Sequence, residues 1–300
     1  MRIPDLNNSQ NLLGNLQRLN SRQAGLQNQV STGQRITRPS DDPGAAGRVL
    51  EMQAEKQRLQ QYSRNGDRGL AINQTTYSAI TELKKVSDRA GEIGVLGTGV
   101  LLSDPSAAQS YAKELNQLIE HGLQTVNSEY AGEHLFGGTK TDTAPFTASR
   151  DASGQITGVA YAGAATSAEI HVGENATVSP YSTVATNQKL GDFINNLVAM
   201  RDALQSGSPG AVQAAQPNLR TSEDDILGAV GDLASTQTRL VGDRAQNEAR
   251  FSELEKLTSK ETDADLAETI VQLTQTQTAY QAALQVGAQV LRVSLLDYLR

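Results

Sequence analysis

The stretch STGQRITRPSDDPGAAG (31–47) separates two segments with helical spacing, and its reading decides the fold. Upstream, Leu12, Leu16, Leu19, Leu26 and Val30 alternate three and four residues apart, with Gln23 as the one polar intruder. That narrow seam is the coiled-coil kind. Gly33 can take the left-handed conformation that closes a helix. Pro39 ends what precedes it, because the residue before a proline avoids helical ψ. Ser40, Asp41 or Asp42 can then cap a helix starting at Pro43, whose fixed φ suits the first helical position. Carboxylates there also suit the partial positive charge of a helix N-terminus. The stretch thus reads as stop, short connector, cap and start. Capping does not account for Arg35, Ile36 and Arg38, and an exposed Ile between two Arg residues points to a partner surface. Asp41 and Asp42 as an acid/base pair is the competing reading, but adjacent residues do not normally converge on one substrate.

The same spacing recurs far along the chain. Ile226, Val230, Leu233, Gln237, Leu240, Arg244, Asn247, Phe251 and Leu254 follow it, and so do Leu266, Ile270, Leu273, Gln277, Tyr280, Leu284, Gly287, Leu291, Ser294 and Tyr298. Residues 106–135 offer another helix through Tyr111, Leu115, Leu118 and Ile119. A shorter one over 188–205 uses Leu190, Phe193, Leu197 and Leu204. Polar residues at seam positions lower stability and fix register. The terminal seams carry too few large apolar residues to stand alone, so they are expected to order when packed on each other or on neighbouring subunits. Residues 1–70 carry ten basic and six acidic side chains, net +4, and residues 251–300 four basic and seven acidic, net −3. That is a salt-sensitive hint that the ends pair.

The middle differs. Residues 137–187 are rich in Gly, Ala, Ser and Thr and poor in charge. QITGVAY (155–161) and SAEIHV (167–172) read as short strands between turn signals. Phe136-Gly137 and the pair Gly137-Gly138 mark the helix exit. The expected fold is mainly α: a long antiparallel helical or coiled-coil rod made by the N- and C-terminal segments, with a small β-rich inserted domain.

Composition narrows the chemistry. Across 300 residues there are 26 Lys and Arg against 33 Asp and Glu, a net charge of −7, which argues against binding nucleic acid by phosphate neutralisation. Without Cys there is no disulfide, Cys-based zinc site or thiol nucleophile. His121, His134 and His171 lack ligand spacing, so no metal and no cofactor is expected. GEIGVLGTG (91–99) lacks the phosphate-loop order and reads as a hinge or break between helices. No GxSxG elbow occurs. No run of about 18 apolar residues suggests a membrane span. The start, MRIPDLNNSQN, lacks the apolar stretch of a secretory signal.

QVSTGQRITRPSDDPGAAG (29–47) resembles the N-terminal signature of the flagellin superfamily, and SLLDYLR (294–300) after a heptad-like helix resembles its C-terminus. PSDDP, in place of the Ser-Ala-Lys-Asp-Asp pattern of filament flagellins, resembles the members at the hook–filament junction, as does LFGGTKTDTAPF (135–146). The resemblance implies a non-enzymatic structural protein of the bacterial flagellum. It would leave the cell through the type III export channel without a cleavable signal peptide, bound beforehand by an export chaperone at its C-terminal region. Its partners would be the first hook-associated protein, flagellin and further copies of itself in a ring at the junction. Filament flagellin is the alternative, and a cytosolic coiled-coil scaffold fits composition alone.

On this reading residues 1–44 form an assembly helix and connector, 45–136 and 188–262 the two halves of the rod, 137–187 an outward β-rich domain, and 263–300 a C-terminal assembly helix. Leu12, Leu16, Leu19, Leu26 and Val30 are expected to form one wall of the assembly interface, and Leu273, Tyr280, Leu284, Leu291 and Leu295 the other. Arg35, Ile36, Arg38, Asp41 and Asp42 are candidates for an inter-subunit contact, against the plainer role of a capped connector.

Overall fold

The computed structural model describes the backbone of residues 4–298, and the side chains of all of these except 4–9, 100–103, 105 and 290–298. The elements follow in the order α1 (Pro4–Thr32), α2 (Pro43–Ser103), α3 (Pro105–Val126), β1 (Glu129–Tyr130), β2 (Glu133–His134), β3 (Phe146–Arg150), β4 (Ile156–Tyr161), β5 (Ile170–His171), β6 (Thr177–Val178), α4 (Val184–Gln205), α5 (Pro209–Thr262) and α6 (Leu266–Tyr298). The protein is mainly α with a few small antiparallel strand pairs. It forms two compact units: residues 59–249, and residues 1–58 together with 250–300.

The unit of residues 59–249 holds the main core. Ile72, Ile80, Leu83 and Ile93 of α2 pack with Leu115 and Ile119 of α3, Phe193, Leu197 and Leu204 of α4, and Leu219, Ile226 and Leu233 of α5. Phe136, Phe146, Ile156 and Val159 of the β segment enter the same core. The strands make three separate antiparallel pairs, β1–β2, β3–β4 and β5–β6, none large enough to be stable alone. Helix side chains hold them. Asn127 exchanges both amide hydrogen bonds with the backbone of Phe146, at 3.0 Å each. Asn195 does the same with Val159, at 2.8 and 3.0 Å. The buried Arg201 guanidinium donates to Ile156 O at 2.7 Å and to Asn116 Oδ1 at 3.1 Å, tying β4 to α3 and α4. At the exposed tip of the β3–β4 hairpin, Asp151 Oδ1 accepts from the amides of Ser153 and Gln155, both at 2.9 Å.

Four expectations need correction. GEIGVLGTG is no break: α2 runs through it. A Cβ on Gly94 would lie 3.1 Å from Met200 Cε and one on Gly97 2.7 Å from Leu204 Cδ2, so these glycines are notches that seat side chains of α4. The helix read over 106–135 ends at Val126, before the Phe136-Gly137 exit, and the next residues turn back as β1–β2. The tip of that turn places Ala131 at φ 53, the one described non-Gly residue at positive φ. The strand expected over 167–172 shortens to Ile170–His171, whereas β4 occupies 156–161 as expected. Arg244, assigned to the α5 seam, instead points outward to Asp67 (3.1 Å) and Glu248 (2.8 Å), and the half-buried Asp243 beside it turns inward.

Leu197 is fully buried, so Leu197→Ala should cost about 2–5 kcal/mol in urea unfolding, transfer and cavity terms together. Ala131→Gly should shift the same curve the other way, by up to about 1 kcal/mol, because a left-handed residue bearing a Cβ costs about 1–2 kcal/mol.

Candidate functional site: the terminal helix pair and its connector

α1 and α6 pack together, and both belong to the unit of residues 1–58 and 250–300. Leu12 lies against Gly287 near one end of the pair, and Gly33 O accepts from Ala264 N at the other, so the two helices run antiparallel. On α1, Leu26 is buried and Leu12, Leu16, Leu19, Gln23 and Val30 are half-buried, which is the spacing read from the sequence. On α6 the covered positions are Thr269, Leu273, Thr276, Tyr280, Ala283 and Gly287, with Gln272 and Gln277 half-buried beside them. This seam keeps Leu273, Gln277, Tyr280 and Gly287 of the expected one but replaces Ile270 and Leu284 by Thr269 and Ala283, with Thr276 added. The helix is turned so that α1's leucines meet small side chains. A Cβ at 287 would sit 2.9 Å from Leu12 Cδ2, so a larger residue there would push the helices apart.

The turn has a consequence for Leu284, expected in the wall: it is 46 % exposed. Ile270 (50 %), Val271, Val286 and Leu266 are exposed with it, as is Leu13 of α1. Between residues 266 and 289 α6 carries a single charge, Glu268, although exposed Thr274, Gln275, Thr278 and Gln281 separate Ile270 and Val271 from Leu284 and Val286. An open groove of about 510 Å³ runs beside it, lined by Leu12, Asn15, Leu19, Ala282, Ala283 and Val286 among others. Leu291 and Leu295 lie outside the residues whose side chains are described.

The connector is built from its own hydrogen bonds. Gly33, at φ 69, closes α1. Of the three possible caps it is Asp42 that starts α2, its Oδ1 accepting from Ala45 N at 3.0 Å. Asp41 Oδ2 instead accepts from the amides of Thr37 (3.1 Å) and Arg38 (2.8 Å), shaping the turn around Pro39 and Ser40. Both carboxylates are thus engaged locally, Asp42 as the cap and Asp41 in the turn, rather than aimed at a shared reactant. Arg35 reaches Asp42 Oδ2 at 3.4 Å and donates to Glu261 O at 2.8 Å. Arg48 holds the Glu261 carboxylate with two bonds, 3.1 and 2.9 Å. Ile36 is half-buried, and the Arg38 side chain stays exposed.

Sequence reasoning missed Glu261, Thr262 and Ala264, the other half of this arrangement. Nothing local marks them, although the opposite net charges of the chain ends hinted at it. Arg48–Glu261 and Lys56–Glu255 pair in that sense, and Arg250–Glu55 in the reverse.

The Arg38 and Thr37 amides hold the Asp41 carboxyl below its ordinary range, and the Ala45 amide, then Arg35, do so for Asp42. Arg48 lowers Glu261 likewise. A carboxyl depressed in the folded state stabilises it above the unfolded pKa and loses that contribution as pH falls through the folded value. An Asp41→Asn, Asp42→Asn variant should therefore melt below the native chain at neutral pH. The gap in melting temperature, followed by circular dichroism, should narrow as pH falls from about 5 to about 3, across and below the ordinary carboxylate range. A gap independent of pH would remove the carboxylates from the account.

Residues 3–141 match the bacterial flagellin N-terminal helical region. The chain is 26% identical over 248 residues to flagellar hook-associated protein 3 of Escherichia coli (strain K12), covering 80% of this chain and 77% of that protein. It is 30% identical over 140 residues to the flagellin of Bacillus subtilis (strain 168), covering 44% of this chain and 45% of that one. Its fold matches a solved structure from Vibrio parahaemolyticus assigned to the flagellar hook-associated proteins, with a TM-score of 0.65 at 20% identity, over 74% of this chain and 100% of that one. The matched helical region spans α1, the connector, α2 and α3, so this part of the chain is similar to the flagellin N-terminal region.

Proposed function

We propose that this protein is a structural subunit of the bacterial flagellum that joins the hook, through the first hook-associated protein, to the flagellin filament. Its chemistry is packing, not catalysis. The observation that carries this reading is the apolar face of α6: Leu266, Ile270, Val271, Leu284 and Val286 stay exposed while a seam of small residues holds α1. Large apolar side chains left exposed in two groups along one helix are costly in water and mark a surface that another chain covers. In an assembly the cover would be the terminal helices of neighbouring subunits: further copies in a ring, the first hook-associated protein on one side and flagellin on the other.

Before assembly the same C-terminal face needs masking, which suits an export chaperone bound there. Export through the flagellar channel, without a cleavable signal peptide, is part of the same proposal. Arg35, Asp41 and Asp42 spend their charges inside the chain, so the capped connector is the better account of them. Arg38, whose side chain is exposed, and the half-buried Ile36 are the connector residues assigned to an inter-subunit contact in this proposal. The likeness to Bacillus subtilis flagellin favours a second reading, a filament subunit. Copy number separates the two, because a filament subunit dominates a sheared flagellar preparation and a junction subunit is scarce in it.

The test is a chain with Ile270→Asp and Leu284→Asp. Both positions are about half exposed, so the purified variant should unfold within about 0.5 kcal/mol of the native chain. Cells carrying it should secrete flagellin without building filaments. Normal filaments on such cells would refute packing through this face.

A further inference from the structure

We infer that the two helix breaks, residues 33–42 and 263–265, act as one clasp, and that Arg35 and Glu261 are positioning residues that decide whether α1 and α6 are ordered as a pair. The proposal takes from the preceding section only what the pair is for.

Each break is completed by the other. A helix leaves its last carbonyls without intrahelical partners, and a local cap usually satisfies them. α5 ends Glu261-Thr262-Asp263-Ala264, with no Gly or Asn to do so. Its terminal carbonyls are taken from across the unit instead. Arg35 N donates to Thr262 O at 2.7 Å, and Arg35 Nη2 donates to Glu261 O at 2.8 Å. In return Ala264 N donates to Gly33 O at 2.9 Å, beyond the last turn of α1. Gln34 and Asp263 stand opposite each other as an antiparallel bridge. Gln29 of α1 reaches forward to Arg35 O at 3.1 Å, joining the end of that helix to the clasp. Asp265 then caps α6, accepting from Ala267 N at 3.0 Å and Glu268 N at 3.1 Å.

The pair beyond the clasp is weak on its own account. Its α6 side is Thr269, Thr276, Ala283 and Gly287, with Gln277 half-buried and only Leu273 and Tyr280 large and apolar. Two long helices that share so narrow a seam gain little from burial and depend on being held in register. The clasp supplies that register at one end, fixing where α1 ends, where α6 starts and how they face. Exposed ion pairs contribute little by themselves, so the Arg35–Asp42 contact is secondary. The backbone bonds, the guanidinium on a helix-end carbonyl and the two-bond grip of Arg48 on the Glu261 carboxylate do the holding.

The experiment uses the full-length purified chain, which has no Cys of its own. Hydrogen exchange is compared between the native chain and Arg35→Ala, Glu261→Gln. The variant should lose about tenfold or more of the amide protection in residues 10–30 and 266–289, while α3 and α4 keep theirs as the control for folding. Gln34→Cys and Asp263→Cys are then added to that variant. Residues opposite one another in an antiparallel bridge lie within disulfide reach. The oxidised form should regain protection to within about threefold of native, and reduction should abolish the gain. Unchanged protection in Arg35→Ala, Glu261→Gln, failure of the disulfide to form, or a formed disulfide without recovery would each overturn the proposal. The readout needs no assembly, so its failure is distinct from that of the Ile270→Asp, Leu284→Asp test.

Discussion

Two backbone hydrogen bonds, Arg35 N to Thr262 O and Ala264 N to Gly33 O, connect segments more than two hundred residues apart. Much of the terminal unit depends on them. They convert two helix ends into a short antiparallel bridge and hand the unsatisfied carbonyls of α5 to Arg35. From that bridge α1 and α6 leave side by side and antiparallel, so their limited apolar surfaces meet. Arg48 adds a two-bond grip on Glu261, which keeps the start of α2 against the end of α5.

The packing of α6 is a choice between two faces. One face offers Ile270 and Leu284, the other Thr269, Thr276 and Ala283. Burying the larger residues within the chain would gain more apolar area per residue. The structure instead buries the smaller face, which lets α1 approach as far as Leu12 on Gly287. The larger residues are thereby left exposed. A chain optimised for solitary stability would be built the other way round, which agrees with a subunit whose stable state is an assembly.

Residue spacing made several elements legible and left others hidden. The leucines of α1, the Gly33 stop, the cap before Pro43 and the strand at 156–161 were all readable, because each depends on neighbours in sequence. The seam of α6 was readable only to within one position: Leu273, Tyr280 and Gly287 belong to either register, and the residue 270 or 269 that completes it depends on the facing helix. The glycines at 94 and 97 looked like breaks because their function, seating Met200 and Leu204, lies on a helix more than a hundred residues away. The same distance hid Arg35's partners. Asn127 and Asn195 gave no signal either, since an asparagine that completes a strand edge has no local signature.

The β3–β4 hairpin is secured at its flanks by Asn127, Asn195 and Arg201, while its exposed tip folds on Asp151 and on Arg150, which donates to Gly154 O at 2.8 Å and to Glu120 Oε2 of α3 at 2.8 Å. The tip contacts are exposed and weak beside the buried anchors, so the loop is a site that tolerates length variation. Residues added between Asp151 and Gln155 extend outward without disturbing the helices beneath, paying only the slowly rising entropy of a longer loop. The scaffold can therefore stay constant while what it displays to its surroundings changes.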